Sequence, residues 1–336
     1  MRLKMPGVAA LTVLTAVFIL FLIPSRAADT IPSQITDEDY WKMISDFSEP
    51  GGSFQLEIIT SNEVSYQSVM PQLVKTVQPG GVYLGVAPEQ NFTYIAGIQP
   101  KIAFIFDIRR DMMLEHLMYK SLFEWSEDRA DFVSHLFSRK RPAGLTADSS
   151  VDDIFQAFAR VNGDSKLALE NAKGIMVRLK VAHQFNVSDE DERRIVAIFE
   201  TFVQEGVVNF NSSFRSPGYA GLMTMSDYNG KNWSFLASNE NYNRVRAMQQ
   251  KNLIVPVVGD FAGPKALRAV GQYLKQHGAV VSAFYVSNVE DYIGGVWPNY
   301  MANIAALPLD NSSMFIRWSP GSSTTLSPMS AFVRGR

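Results

Sequence analysis

Eight residues stand where an α/β protein usually does its chemistry. Gly85, Glu89 and Asn91 share one turn, Asp107 follows about twenty positions later, and Asp260, Tyr285, Ser287 and Asn288 close two later apolar runs. A turn of this kind lets backbone amides approach a ligand, and an acid at the Asp107 spacing can accept two hydrogen bonds from a diol. Gly85 stands alone, however, and Pro88 and Glu89 occupy the positions that follow it. A carboxylate there repels phosphate, so NAD, FAD and ATP are disfavoured and a ligand without phosphates is expected. Each residue also has a plainer use. Asp107 and Asp260 suit turns and caps, Asn91 can cap the helix behind it, Ser287 to Glu290 has capping-box spacing, and Arg109 and Arg110 suit ion pairs.

Other chemistries have little support. The chain has no cysteine and no GxSxG elbow, and its four histidines (His116, His135, His183, His277) lack metal-ligand spacing. No catalytic residue and no metal are therefore assigned. Lys and Arg number 31 against 33 Asp and Glu, without a long basic run, so nucleic-acid binding is not expected.

The elements that must position these residues follow from apolar patterning. The run 253–258 stops at Gly259-Asp260, Pro264 opens a helix closing at His277-Gly278, and a second run spans 279–286. Two buried strands joined by a crossover helix form a βαβ unit of a parallel sheet, whose ligands bind beyond the strands' carboxyl ends. Further strands are predicted at 82–86, 101–106 and 314–318. Helices are predicted at 37–47, 61–78 (from the Thr60-x-x-Glu63 spacing), 92–97, 111–138 and 300–306. Residues 141–232 break the alternation. Helices at 151–161, 165–173 and 188–204, then a loop over 209–232, read as a helical insertion on a single α/β domain. The tail from Ser319 is predicted to be poorly ordered.

Residues 1–27 read as a signal peptide. Arg2 and Lys4 precede an apolar run over 8–23, and Ser25-Arg26-Ala27 supplies small residues at the cleavage positions. An uncleaved inner-membrane anchor facing outward is the alternative. Either way residues 28–336 are expected outside the cytoplasm, periplasmic or secreted, and cysteine usage fits a bacterial envelope protein.

Two blocks carry a family resemblance: GVYLGVAPEQNFTYIAGIQPKIAFIFDIRRDMMLEHLMYKSLFEWSEDR and NLIVPVVGDFAGPKALRAVGQYLKQHGAVVSAFYVSNVEDYI. They resemble an uncharacterised bacterial family sharing the class I S-adenosylmethionine-dependent methyltransferase fold, a Rossmann-like, mostly parallel sheet with flanking helices. The resemblance implies that Gly85 and the turn to Asn91 face the methionine part of S-adenosylmethionine, that Asp107 faces its ribose, and that Asp260 lines the cleft. The single glycine and the lack of an Asn/Asp-Pro-Pro-Tyr motif depart from working methyltransferases. S-adenosylmethionine is also made in the cytoplasm, whereas the leader directs export. The expectation is therefore an exported, non-catalytic protein of methyltransferase-like fold that binds a small molecule or an envelope partner. A working methyltransferase and an envelope interaction module are the alternatives.

Overall fold

A computed structural model describes residues 29–55, 59–209, 218–321 and 323–334. The leader at 1–27 lies outside the described residues, and no described helix is long and apolar enough to cross a membrane.

Six strands form one sheet: β1 (Val82–Val86), β2 (Ile102–Asp107), β3 (Ile254–Val258), β4 (Val281–Ser287), β5 (Met314–Arg317) and β6 (Thr325–Pro328). Their order is β3-β2-β1-β4-β5-β6, with every pair parallel except β5–β6. β1 to β3 are buried along their whole length, which is why they read as unbroken apolar runs rather than alternations. The chain leaves β1 towards β2 and β3, then returns to place β4 on the other side of β1. The topological switch point therefore lies between β1 and β4.

The two faces carry different aromatic cores. Phe104, Phe106 and Phe284 meet Tyr273 and Phe261 on one face. Tyr83 and Tyr285 meet Tyr94 on the other. The expected helical insertion occupies the long β2–β3 crossover. Helices Val151–Ala159, Ser165–Val177, Asp189–Asn209 and Gly218–Thr224 build a layer over Arg110–Trp125 and Arg129–Phe137. Asn239–Gln250, capped by Ser238, returns the chain to β3.

Several expectations give way to tertiary structure. Of the helix expected over 61–78, only Met70–Thr76 forms, opened by Pro71. Thr60 and Glu63 turn their side chains to residues outside the segment instead of capping it. The helix expected over 111–138 divides at Ser126 into two, and Asp128 caps the second by accepting from the Asp131 amide. The loop expected over 209–232 contains the helix Gly218–Thr224. Pro264 is not the first helical residue, since that helix is Ala266–Gln276. The tail is structured: β6 pairs antiparallel with β5, and Met329 opens the helix Met329–Arg334 fully buried. Its sequence, Thr-Leu-Ser-Pro, is short and polar because it forms an edge strand.

Candidate functional site

The carboxyl ends of β1 to β4 open into a crevice of about 820 Å³. Asp107 ends β2, Asp260 lies just past β3, Ser287 ends β4 and Asn288 follows it. All four line the crevice, together with Val86 and Ala87 from the end of β1. Three segments complete the wall: 53–55, 61–64, and the stretch from Val289 to Val296. Phe54 and Tyr292 meet edge to face with ring centroids 4.9 Å apart, and Phe261 and Trp318 add aromatic surface. An apolar wall with a few convergent polar groups is the usual composition of a small-molecule site.

The turn after β1 is built unlike a phosphate cradle. Ala87 takes a left-handed conformation, with φ 65°, a strained choice for a residue with a Cβ. Asn91 holds it there. Its Nδ2 donates to the carbonyls of Val86, Ala87 and Pro88 at 2.7–3.1 Å, and its Oδ1 accepts from the Tyr83 hydroxyl. Gly85 is required behind this turn, because a Cβ would overlap Asn91 Oδ1. Gly85 and Asn91 therefore sit beneath the crevice and shape it without lining it.

Glu89 is also turned inward. It is fully buried, and its Oε1 accepts from the Thr60 hydroxyl at 2.8 Å and the Ser61 amide at 3.1 Å. Burial pushes its carboxyl up to about 7. Its role is to anchor the wall segment 61–64, not to face a ligand. His116 lies behind the same turn. Its Nε2 meets the Ala87 carbonyl at 3.0 Å, so this nitrogen carries the proton, and burial lowers the ring to about 4.

Asp107 is 8% exposed. Its Oδ1 accepts from the backbone amide of Arg109 at 2.8 Å and from the guanidinium Nε at 3.2 Å. Burial raises its carboxyl above the ordinary range, against the pull of Arg109. Asp260 accepts from the Ala262 amide at 2.8 Å, a turn bond of the plain kind expected of it. The amides that open Ala266–Gln276 are occupied too. Glu49 Oε1 accepts from Lys265 N at 2.8 Å and Ala266 N at 2.7 Å. That helix end is thus closed by a carboxylate of the chain itself.

Tyr285 does not line the crevice, but it organises a corner that does. Its hydroxyl donates to Glu63 Oε1 at 2.5 Å and accepts from Gln90 Nε2 at 2.8 Å, while Ser287 Oγ also donates to Glu63 Oε1. The expected Ser287–Glu290 capping box is absent. Ser287 has φ 51°, and Glu290 pairs with Arg317 at 2.6 Å and accepts from Tyr300. Glu63 and Gln90 are among the polar lining residues that sequence reasoning missed, with Ser53, Gln55, Ser61 and Asn62. Glu63 looked like half of a local cap, whereas its partner lies 222 positions away, and no local pattern carries that signal.

A mostly parallel six-stranded α/β sheet flanked by helices, with a crevice at its switch point, defines the Rossmann-like class of folds. Within that class the chain belongs to the DUF7790 family, a domain of unknown function, whose match spans residues 58–332. No curated protein matches the chain.

Proposed function

We propose that the protein is an exported binding protein that takes a small, phosphate-free organic molecule in the crevice, without catalysing a reaction. One observation carries the reading: polar groups from the ends of β2, β3 and β4 and from the 61–64 wall converge on one cavity of about 820 Å³. Phosphate is disfavoured on three counts. The β1 turn aims its carbonyls at Asn91, Glu49 closes the Ala266–Gln276 helix end, and the cation among the described lining residues, Arg109, is bonded to Asp107. Binding without catalysis is supported by the two departures from working methyltransferases, the single Gly85 in the turn after β1 and the lack of an Asn/Asp-Pro-Pro-Tyr motif. The leader pattern of residues 1–27 supports export.

S-adenosylmethionine is the second reading. The strand order with an antiparallel strand beside β5, and Asp107 at the end of β2 on the crevice wall, favour it. Thermal-shift titration of the protein separates the two. The panel holds amines, amino acids, sugars, nucleosides, S-adenosylmethionine and S-adenosylhomocysteine. The lead reading expects at least one of the simpler ligands to raise the melting temperature, with Asn288→Tyr, which fills the crevice, removing the response. Stabilisation by S-adenosylmethionine that Asp107→Asn abolishes would put the second reading first. Silence across the panel would contradict both.

A further inference from the structure

We propose that the crevice selects a ligand bearing a protonated amine and seats that amine against Glu63 and Gln90; this rests on the crevice being a ligand site at all. The argument begins with hydrogen-bond directions. An ionised carboxylate only accepts, so the Tyr285 hydroxyl must donate to Glu63 Oε1. That hydroxyl therefore receives from Gln90, which fixes the amide with Nε2 towards Tyr285 and Oε1 away from it.

Two acceptors then remain in the same corner. Glu63 Oε2 and Gln90 Oε1 are both buried and neither has a hydrogen-bond partner among the described residues; while Glu63 is ionised both are acceptors and cannot satisfy each other. Both residues line the crevice, and they are 3% and 2% exposed. Buried acceptors left without a donor are costly, and what they lack is a donor-rich group. An ammonium brings three donors and no acceptor, whereas a hydroxyl brings one donor and lone pairs that would face these oxygens.

Charge agrees. The described lining carries Glu63, Asp107 and Asp260 against Arg109, which Asp107 already binds. Phe54 and the half-exposed Tyr292 present ring surface of the kind that attracts a cation.

Burial raises Glu63 to about 7, so its charge is lost as the pH falls below that value. The titratable groups facing it are Glu89 from the β1 turn, Tyr83 on β1, Tyr94 on the following helix and Tyr285 on β4. The three phenols are held well above 10 and stay neutral. Glu89 titrates alongside Glu63, so it must be separated by mutation.

The test is calorimetric titration of the full chain with three probes that share one ring. Tyramine ends in an amine, 4-ethylphenol in a methyl group, and 3-(4-hydroxyphenyl)propanoate in a carboxylate. Tyramine is expected to bind about tenfold or more tightly than 4-ethylphenol, and the carboxylate most weakly, as a charge-assisted bond implies. The tyramine preference is expected to shrink from pH 8 to pH 6 in the wild-type protein and in Glu89→Gln, and to be small at both pH values in Glu63→Gln. The wild-type pH series stands even if a variant fails to fold. Equal binding of tyramine and 4-ethylphenol, or a preference indifferent to pH, would overturn the amine while leaving a ligand crevice. Binding of none of the three, with the protein's NMR spectrum unmoved, would overturn the amine and count against the crevice itself.

Discussion

Glu63, Glu89 and Glu115 are three carboxyls almost without water around them, and each is raised chiefly by burial. Glu115 is the extreme case, since neither of its oxygens has a partner among the described residues. For each, the folded value lies above the unfolded one, so the group stabilises the fold only while protonated. That contribution is full below about pH 4.5 and is lost as the pH rises through about 7 for Glu63 and Glu89. At ~1.4 kcal/mol per unit, each of these two shifts corresponds to about 3 kcal/mol. Urea unfolding at pH 5 and pH 8 checks this. Relative to wild type, Glu89→Gln and Glu115→Gln are expected to gain stability at pH 8 compared with pH 5; a difference that does not change with pH would contradict it. None of these environments was legible in the sequence. Spacing puts Glu89 in the turn after β1 but does not say which way it points, and the fold turns it inward to Thr60 and Ser61.

Among the elements, β1 to β4 were legible because a strand buried on both faces must be apolar throughout. Their carboxyl ends were legible with them, which is why Asp107, Asp260, Ser287 and Asn288 were found on the crevice wall. Elements fixed by distant partners were not. Thr60 and Glu63 have the spacing of a cap, but their side chains join Glu89, Tyr285 and Ser287. The Ala266–Gln276 helix has no side-chain cap from its own N-cap residue. Its amides rely on Glu49, from a segment more than two hundred residues earlier. Glu49→Ala is expected to cost about 1–2 kcal/mol, as the loss of a capping acceptor does. A denaturant midpoint unchanged from wild type would show that water replaces that carboxylate at no cost.

At the scale of the whole molecule, the two ends of the described chain fasten the sheet. The lead-in donates from Glu49 N to the Val258 carbonyl and from Gly52 N to the Ile108 carbonyl, running the wall segment 53–55 across the ends of β2 and β3. The tail covers the β5 edge with β6 and buries Met329, while Thr324 bonds to Ser65 at 3.0 Å. Both segments looked peripheral in sequence because their residues are polar and their bonds are long-range. Truncation after Trp318 is expected to remove at least ~2 kcal/mol, the burial of one methionine side chain, and to leave an open sheet edge that associates. Chemical denaturation and size-exclusion chromatography would read both effects, and a monomer of unchanged stability would contradict the tail's role.

The claim on which the rest depends is that the crevice between β1 and β4 is where a ligand binds. Trp318 lines it, whereas Trp41 packs against Phe185 and Trp125 against His135, away from it. Fluorine NMR of the protein labelled with 5-fluorotryptophan, with Trp318 assigned by Trp318→Phe, reads the site directly. On titration with the same phosphate-free panel, at least one compound is expected to move the Trp318 resonance, to leave those of Trp41 and Trp125 in place, and to lose its effect in Asn288→Tyr. A Trp318 resonance that no compound moves, or one that moves equally in Asn288→Tyr, would contradict the assignment of this crevice as the binding site.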